Sequence, residues 1–232
     1  MYFDPMYLLF ALPALLLGLW AQMKIQSAYS KYSQMPNARG VTGVEAAETL
    51  LRTNELEGVQ IQGVRGQLTD NYNPSNKTLN LSQGVANGRS VAGLAVVAHE
   101  VGHAVQDRTG YGPMRLRNGI VPLVQVSAMV GPILFILGYM LGSSGLAWLG
   151  LLLFSGGALF ALITLPVERN ASTRALQMLT NNGLIVRQDE QVGARQVLDA
   201  AALTYVAALV QSIGTLLYYV TLLVGSSGRR RN

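Results

Sequence analysis

The chain has 232 residues, half of them hydrophobic and only 12% charged, where a soluble domain carries about 25% charged residues. The charges are unevenly spread: 19 uncharged residues separate Asp4 from Lys24, 50 separate Arg117 from Glu168, and 29 separate Asp199 from Arg229. Such a pattern excludes an ordinary soluble globule, a disordered chain and a nucleic-acid-binding module. The net charge of +5 reads instead as loop lysines and arginines that fix orientation in a membrane. The lack of cysteine removes disulfides, thiolate metal sites and a cysteine nucleophile.

A bilayer span needs roughly 20 mostly apolar residues, so the three uncharged stretches hold one, two and one spans. The first, Met6 to Met23, has no Lys or Arg ahead of it and has Trp20 near its end, and it reads as an uncleaved anchor rather than a signal peptide. A polar segment from Lys24 to Gly119 opens as a loop rich in Ser, Asn and Pro. Thr42-Gly-Val-Glu45 then matches a capping box for a helix running to Arg52. Val59–Ile61 and Thr78–Leu81 alternate like half-buried strands, with Asn73-Pro74 as the turn between them. Thr78–Leu81 reads as an internal strand, the alternative being an exposed edge that pairs with an extended substrate. Ser90 caps an apolar helix from Val91 to Gln106. Leu141–Gly145 splits the longest stretch into two spans, Ile120–Met140 and Leu146–Pro166. A further helix starts near Glu168 and stops at Asn182-Gly183, where Gly supplies the left-handed residue after the last turn. The last span is about Leu203–Val224, followed by a basic tail.

The only two histidines are His99 and His103, in Ala98-His-Glu-Val-Gly-His103. Four residues apart on a helix, they lie one turn apart on one face, so both imidazoles can reach the same ion. Glu100 falls about 100° round the helix, beside that ion. There it can take a proton from water, the arrangement of H-E-x-x-H metalloproteases. An imidazole pair suits zinc, although iron, cobalt or manganese fit similar ligands. No His or Cys remains for a third ligand, so a carboxylate is expected. Asp107 lies one turn past His103 and reads as a solvated helix end; Asp189, Glu190 and Asp199 lie farther along in polar surroundings. Glu168 is the first acid after the two spans, and an even number of crossings returns it to the side of the histidines.

The combination of SVAGLAVVAHEVGHAVQ with LPVERNASTRAL, with NYNPSNKTLNLS ahead of the first, resembles the bacterial membrane-bound neutral zinc metallopeptidases. That family is itself similar to the HtpX and CAAX-type membrane protease group. The resemblance implies a zinc-dependent endopeptidase at the membrane face, with one Zn²⁺ per chain. It makes His99, His103 and Glu168 the ligands, a gluzincin-like set, and Glu100 the general base. Ser172 stands where the HtpX and CAAX-type group has Asp, so Ser172 and Asn170 become candidates to hold an imidazole from behind. Relatives tend to have DHYDP where this chain has Asp70-Asn-Tyr-Asn-Pro74. For the oxyanion, Tyr72, Tyr111 and Arg174 are the candidate donors.

The fold expected is mainly α and membrane-embedded: four transmembrane helices with a small α+β, zincin-like metallopeptidase domain that carries the H-E-x-x-H helix. Its parts are an anchor (1–23), the metallopeptidase domain (24–119), a transmembrane hairpin (120–166), the third-ligand helix and linker (167–202), and a last span with its tail (203–232). The partners expected are the lipid bilayer and a protein or peptide substrate, with no nucleic acid. Lys24–Gly119 holds ten Lys or Arg and Val167–Ala202 four, while the hairpin turn holds none. The positive-inside rule therefore predicts a multi-pass protein of the cell membrane with a cytoplasmic active site. An intramembrane protease would need its motif within a span, and here charged residues bound the motif helix about 16 residues apart. The alternative of another class is a catalytically idle membrane scaffold or chaperone with a structural metal site, for which Glu100 would have no use.

Overall fold

The computed structural model describes residues 5–229, and the last three residues of the expected basic tail lie outside them. Eight helices and three strands follow one another among these residues: α1 (Pro5–Ser33), α2 (Gly43–Thr53), β1 (Gln60–Val64), β2 (Asn71–Asn73), β3 (Thr78–Ser82), α3 (Gln83–Asn87), α4 (Val91–Arg108), α5 (Gly112–Met140), α6 (Ser144–Phe154), α7 (Gly156–Asn181) and α8 (Gln188–Arg229). The fold is mainly helical with one small sheet. Four stretches, Met6–Ser33, Gly112–Met140, Ser144–Asn181 and Gln188–Gly225, are long and apolar enough to cross a membrane.

The chain forms two compact units. The first comprises Met1–Ala21, Leu116–Leu165 and Thr204–Asn232. Within it, α5 and α6 form a hairpin around Gly142, whose φ of +69° suits glycine. Their backbones approach closely because the contact is made of glycines: a Cβ on Gly138 would lie 2.3 Å from the Ala147 nitrogen, and one on Gly150 2.3 Å from that of Phe135. Small residues at helix contacts are the usual means of close packing in lipid, where apolar burial between helices has no driving force. Phe135 also stacks on Tyr219 at 4.3 Å.

The second unit comprises Gln22–Arg115 and Pro166–Leu203. Here α2 has the full capping box, with Glu45 N–H donating to Thr42 Oγ1 and Thr42 N–H donating to Glu45 Oε2. Its apolar face, Ala46, Ala47, Leu50 and Leu51, is buried and packs with α4. The sheet order is β1-β3-β2, so Thr78–Leu81 is the central strand. The Asn73-Pro74 turn joins β2 to β3 as an antiparallel pair; Ser75 N–H donates to Asn73 Oδ1 at 2.9 Å to close it. It does not join the two strands read from the sequence, because β1 pairs with β3 in parallel.

Three boundaries also differ from the sequence reading. The segment after Lys24 is helical as far as Ser33, because α1 continues past its apolar stretch. The helix bearing Glu168 starts at Gly156 and runs through Pro166, although it ends as expected, with Gly183 at φ +61°. The last apolar stretch belongs to the 42-residue α8, which starts at Gln188. The start of α8 is tied down by Glu190, which is fully buried and accepts from the backbone N–H groups of Ala38, Val186 and Arg187. Glu190 is thus a structural anchor, not a solvated acid.

Candidate metal centre

Helix α4 is built to be rigid. Ser90 Oγ accepts from Gly93 N–H at 3.1 Å at its start, and Val91 through Ala95 are buried, as are Val97, Ala98, Val101 and Ala104. Packing of this kind locks the rotamers of the two histidines it carries. Helix α7 meets it at Gly102, where a Cβ would lie 2.8 Å from the carbonyl oxygen of Ala171. Ala171 and Ala175 on α7 are fully buried, so small residues on both helices let the backbones approach.

That approach delivers Glu168, 3% exposed, to the histidines. Its Oε2 lies 3.1 Å from His99 Nε2 and 3.5 Å from His103 Nε2. The imidazoles stand edge to face, with centroids 4.7 Å apart. Each of the three residues offers one ligand atom, all within 4.8 Å of one another. Two ligands held at about 2.1 Å on a tetrahedral ion lie about 3.4 Å apart, so the spacing fits one shared cation. Two imidazoles and a carboxylate also match the donor set of catalytic zinc.

The far sides of the imidazoles are held as well. Ser172 Oγ lies 3.2 Å from His99 Nδ1, as its place one turn after Glu168 predicts. His103 Nδ1 lies 3.0 Å from Gln106 Oε1, a contact the sequence reading missed. Its signal was available: Gln106 is three residues after His103 on the same helix, a buried amide in an apolar run. The hydrogen bonds of Asn170 go to residues other than the histidines. Its Oδ1 accepts from Gln106 Nε2 at 3.0 Å and from Arg174 Nε at 2.8 Å.

Glu100 is half-buried on the helix that carries both histidines, and its Oε2 accepts from the backbone N–H of Tyr72 at 2.9 Å. Burial pushes its carboxyl above the usual range, while His99 and His103 pull the other way. The Asp70–Pro74 segment therefore reaches Glu100 through backbone, and such a contact does not depend on the side chains at Asn71 and Asn73. The Tyr72 hydroxyl points elsewhere and donates to Asp107 Oδ2 at 2.7 Å. Burial first, then Asp107, pushes that phenol above the usual tyrosine range. Lys77 Nζ donates to the same Asp107 oxygen at 2.5 Å, so Asp107 is a paired group and not a solvated helix end. Tyr111 packs half-buried against the core. Among the described residues, Asp107, Asp189, Glu190 and Asp199 stand outside the His-His-Glu group.

A family profile described as "Putative neutral zinc metallopeptidase" matches residues 7–224. The chain belongs to this family. The zinc metallopeptidase family so matched covers nearly the whole chain, spans included. The chain is also similar to a Bacillus subtilis (strain 168) protein named "Putative membrane protease YugP", with 44% identity over 227 residues, which cover 98% of this chain and 100% of that relative. No solved structure matches the chain.

Proposed function

We propose that this protein is a membrane-bound, zinc-dependent endopeptidase whose ligands are His99, His103 and Glu168 and whose general base is Glu100. The observation that carries the reading is the convergence of two Nε2 atoms and a buried carboxylate oxygen on one point, with Glu100 on the same helix. In this reading residues 24–119 form a zincin-like domain completed by the third-ligand helix and linker of residues 167–202, and each chain holds one zinc. The anchor (1–23), hairpin (120–166) and last span (about 203–224, ahead of the basic tail) lie in the bilayer, and the site faces the cytoplasm, where the lysine- and arginine-rich segments belong.

Zinc bound there supplies a Lewis acid that polarises the scissile carbonyl and acidifies water. Glu100 takes the proton of the attacking water and returns it to the leaving amine. The Tyr72 N–H fixes one oxygen of that carboxylate and leaves the other for the proton. Ser172 and Gln106 keep the ligand rings oriented.

The test is hydrolysis of casein by the purified full chain, with and without a chelator, beside Glu100→Gln. The amide is nearly isosteric and cannot accept the proton, so Glu100→Gln should retain zinc and lose hydrolysis. Substantial turnover by Glu100→Gln refutes its role as base. Zinc binding without any chelator-sensitive cleavage by the unaltered protein would instead favour the idle scaffold.

A further inference from the structure

Gln106 is a fully buried amide whose two N–H donors and carbonyl oxygen each face a specific partner. Its Nε2 donates to the Val167 carbonyl at 2.8 Å and to Asn170 Oδ1 at 3.0 Å, and its Oε1 faces His103 Nδ1 at 3.0 Å. The orientation of this amide follows from chemistry. A backbone carbonyl only accepts, so the nitrogen of Gln106 must face Val167. Arg174 only donates, and its Nε lies 2.8 Å from Asn170 Oδ1, so Asn170 presents its oxygen to Gln106. Both constraints turn Oε1 of Gln106 toward the imidazole. An oxygen without a proton can only accept, which places the proton of neutral His103 on Nδ1 and leaves the lone pair on Nε2, the atom that faces Glu168.

We infer that Gln106, backed by Asn170 and Arg174, is a positioning residue that sets the tautomer and ring orientation of His103 for metal binding. The inference rests on the zinc-peptidase reading. Gln106 also ties the helix carrying the histidines to the turn of α7 that carries Glu168, since Val167 is the residue before that ligand. Arg174 acts in this relay through Asn170, and its Nε is committed there.

Two substitutions separate ring orientation from simple bridging between helices. Gln106→Glu keeps an oxygen opposite His103 Nδ1 but sets a carboxylate against the Val167 carbonyl. Gln106→Met keeps the volume and removes the acceptor. Zinc affinity of the full chain in detergent, measured by competition with a chromophoric chelator, should fall about 10- to 100-fold in Gln106→Met and stay within a few-fold of the unaltered protein in Gln106→Glu. Thermal unfolding of the zinc-free proteins should rank them the opposite way, with Gln106→Glu the less stable. A residue that only bridges helices would give the same ranking in both measurements, and that result overturns the inference. Unchanged zinc affinity in Gln106→Met overturns it as well. Should either variant fail to fold, nitrogen NMR of the unaltered protein labelled at its two histidines reads the tautomer directly; a proton on Nε2 of zinc-free neutral His103 refutes the assignment. If the unaltered protein binds no zinc, the peptidase reading itself fails, an outcome distinct from all of these.

Discussion

One methyl group at Gly102 should separate the two helices that carry the His-His-Glu group. An added Cβ would stand 2.8 Å from the Ala171 carbonyl oxygen and 3.3 Å from its Cα. Ordinary van der Waals contact starts at 3.4 Å, so the first contact is short by about 0.6 Å. Both obstacles are backbone atoms, which no rotamer change can move, so the helix axes must shift. Overpacking of this kind costs about 1–3 kcal/mol. The shift also acts on the site, because Glu168 sits on α7 one turn before Ala171. Metal–ligand distances tolerate about 0.2 Å, well under the displacement required. Gly102→Ala should therefore lower thermal stability and weaken zinc binding by about tenfold or more, although it changes no ligand. The assay is zinc affinity by chelator competition together with thermal unfolding of the same preparation. Affinity and unfolding temperature equal to those of the unaltered protein would refute the claim that the closeness of α4 and α7 builds the site.

Three other outcomes follow from the same contacts. Glu168→Ala should bind zinc far more weakly, whereas the exposed Glu57→Ala should not; full zinc occupancy in Glu168→Ala, read by metal analysis, would remove Glu168 from the ligand set. Glu190→Ala leaves three backbone N–H groups without their acceptor, so it should destabilise the fold by about 3 kcal/mol while the folded fraction keeps its zinc; an unfolding temperature unchanged by the substitution would contradict the anchoring role. For orientation, Ser33→Cys should resist a membrane-impermeant thiol reagent in intact cells and Ser144→Cys should react, both positions being exposed; labelling of Ser33→Cys from outside would reverse the assigned topology.

The parts of this protein that the sequence determined by itself are those governed by local geometry. Uncharged stretches show where helices can cross a bilayer, because the relevant length is that of one helix. The capping box at Thr42 and the serine cap at Ser90 lie within one turn of the groups they serve. The spacing of His99 and His103 is a property of the α-helix, and with no cysteine or further histidine to choose from, a carboxylate was the remaining kind of third ligand. The motifs flanking these residues also carried the family resemblance, and the family profile bears it out.

What only the tertiary structure decided depends on partners far apart in the chain. The β1–β3 pairing is parallel, which no turn signal can announce, since parallel strands need a crossover. Asp107 reads from the sequence as a solvated helix end and Glu190 as an acid in polar surroundings. One is held by Tyr72 and Lys77, 35 and 30 residues away, and the other by Ala38, 152 residues away. Asn170 lies two residues after Glu168 in sequence, yet its partner is Gln106, 64 residues before it. Hydrophobic pattern and helical period decide which face of a helix is buried. Which polar atom on that face meets which partner is decided by the close approach of α4 and α7, where a buried donor or acceptor left without a partner is costly.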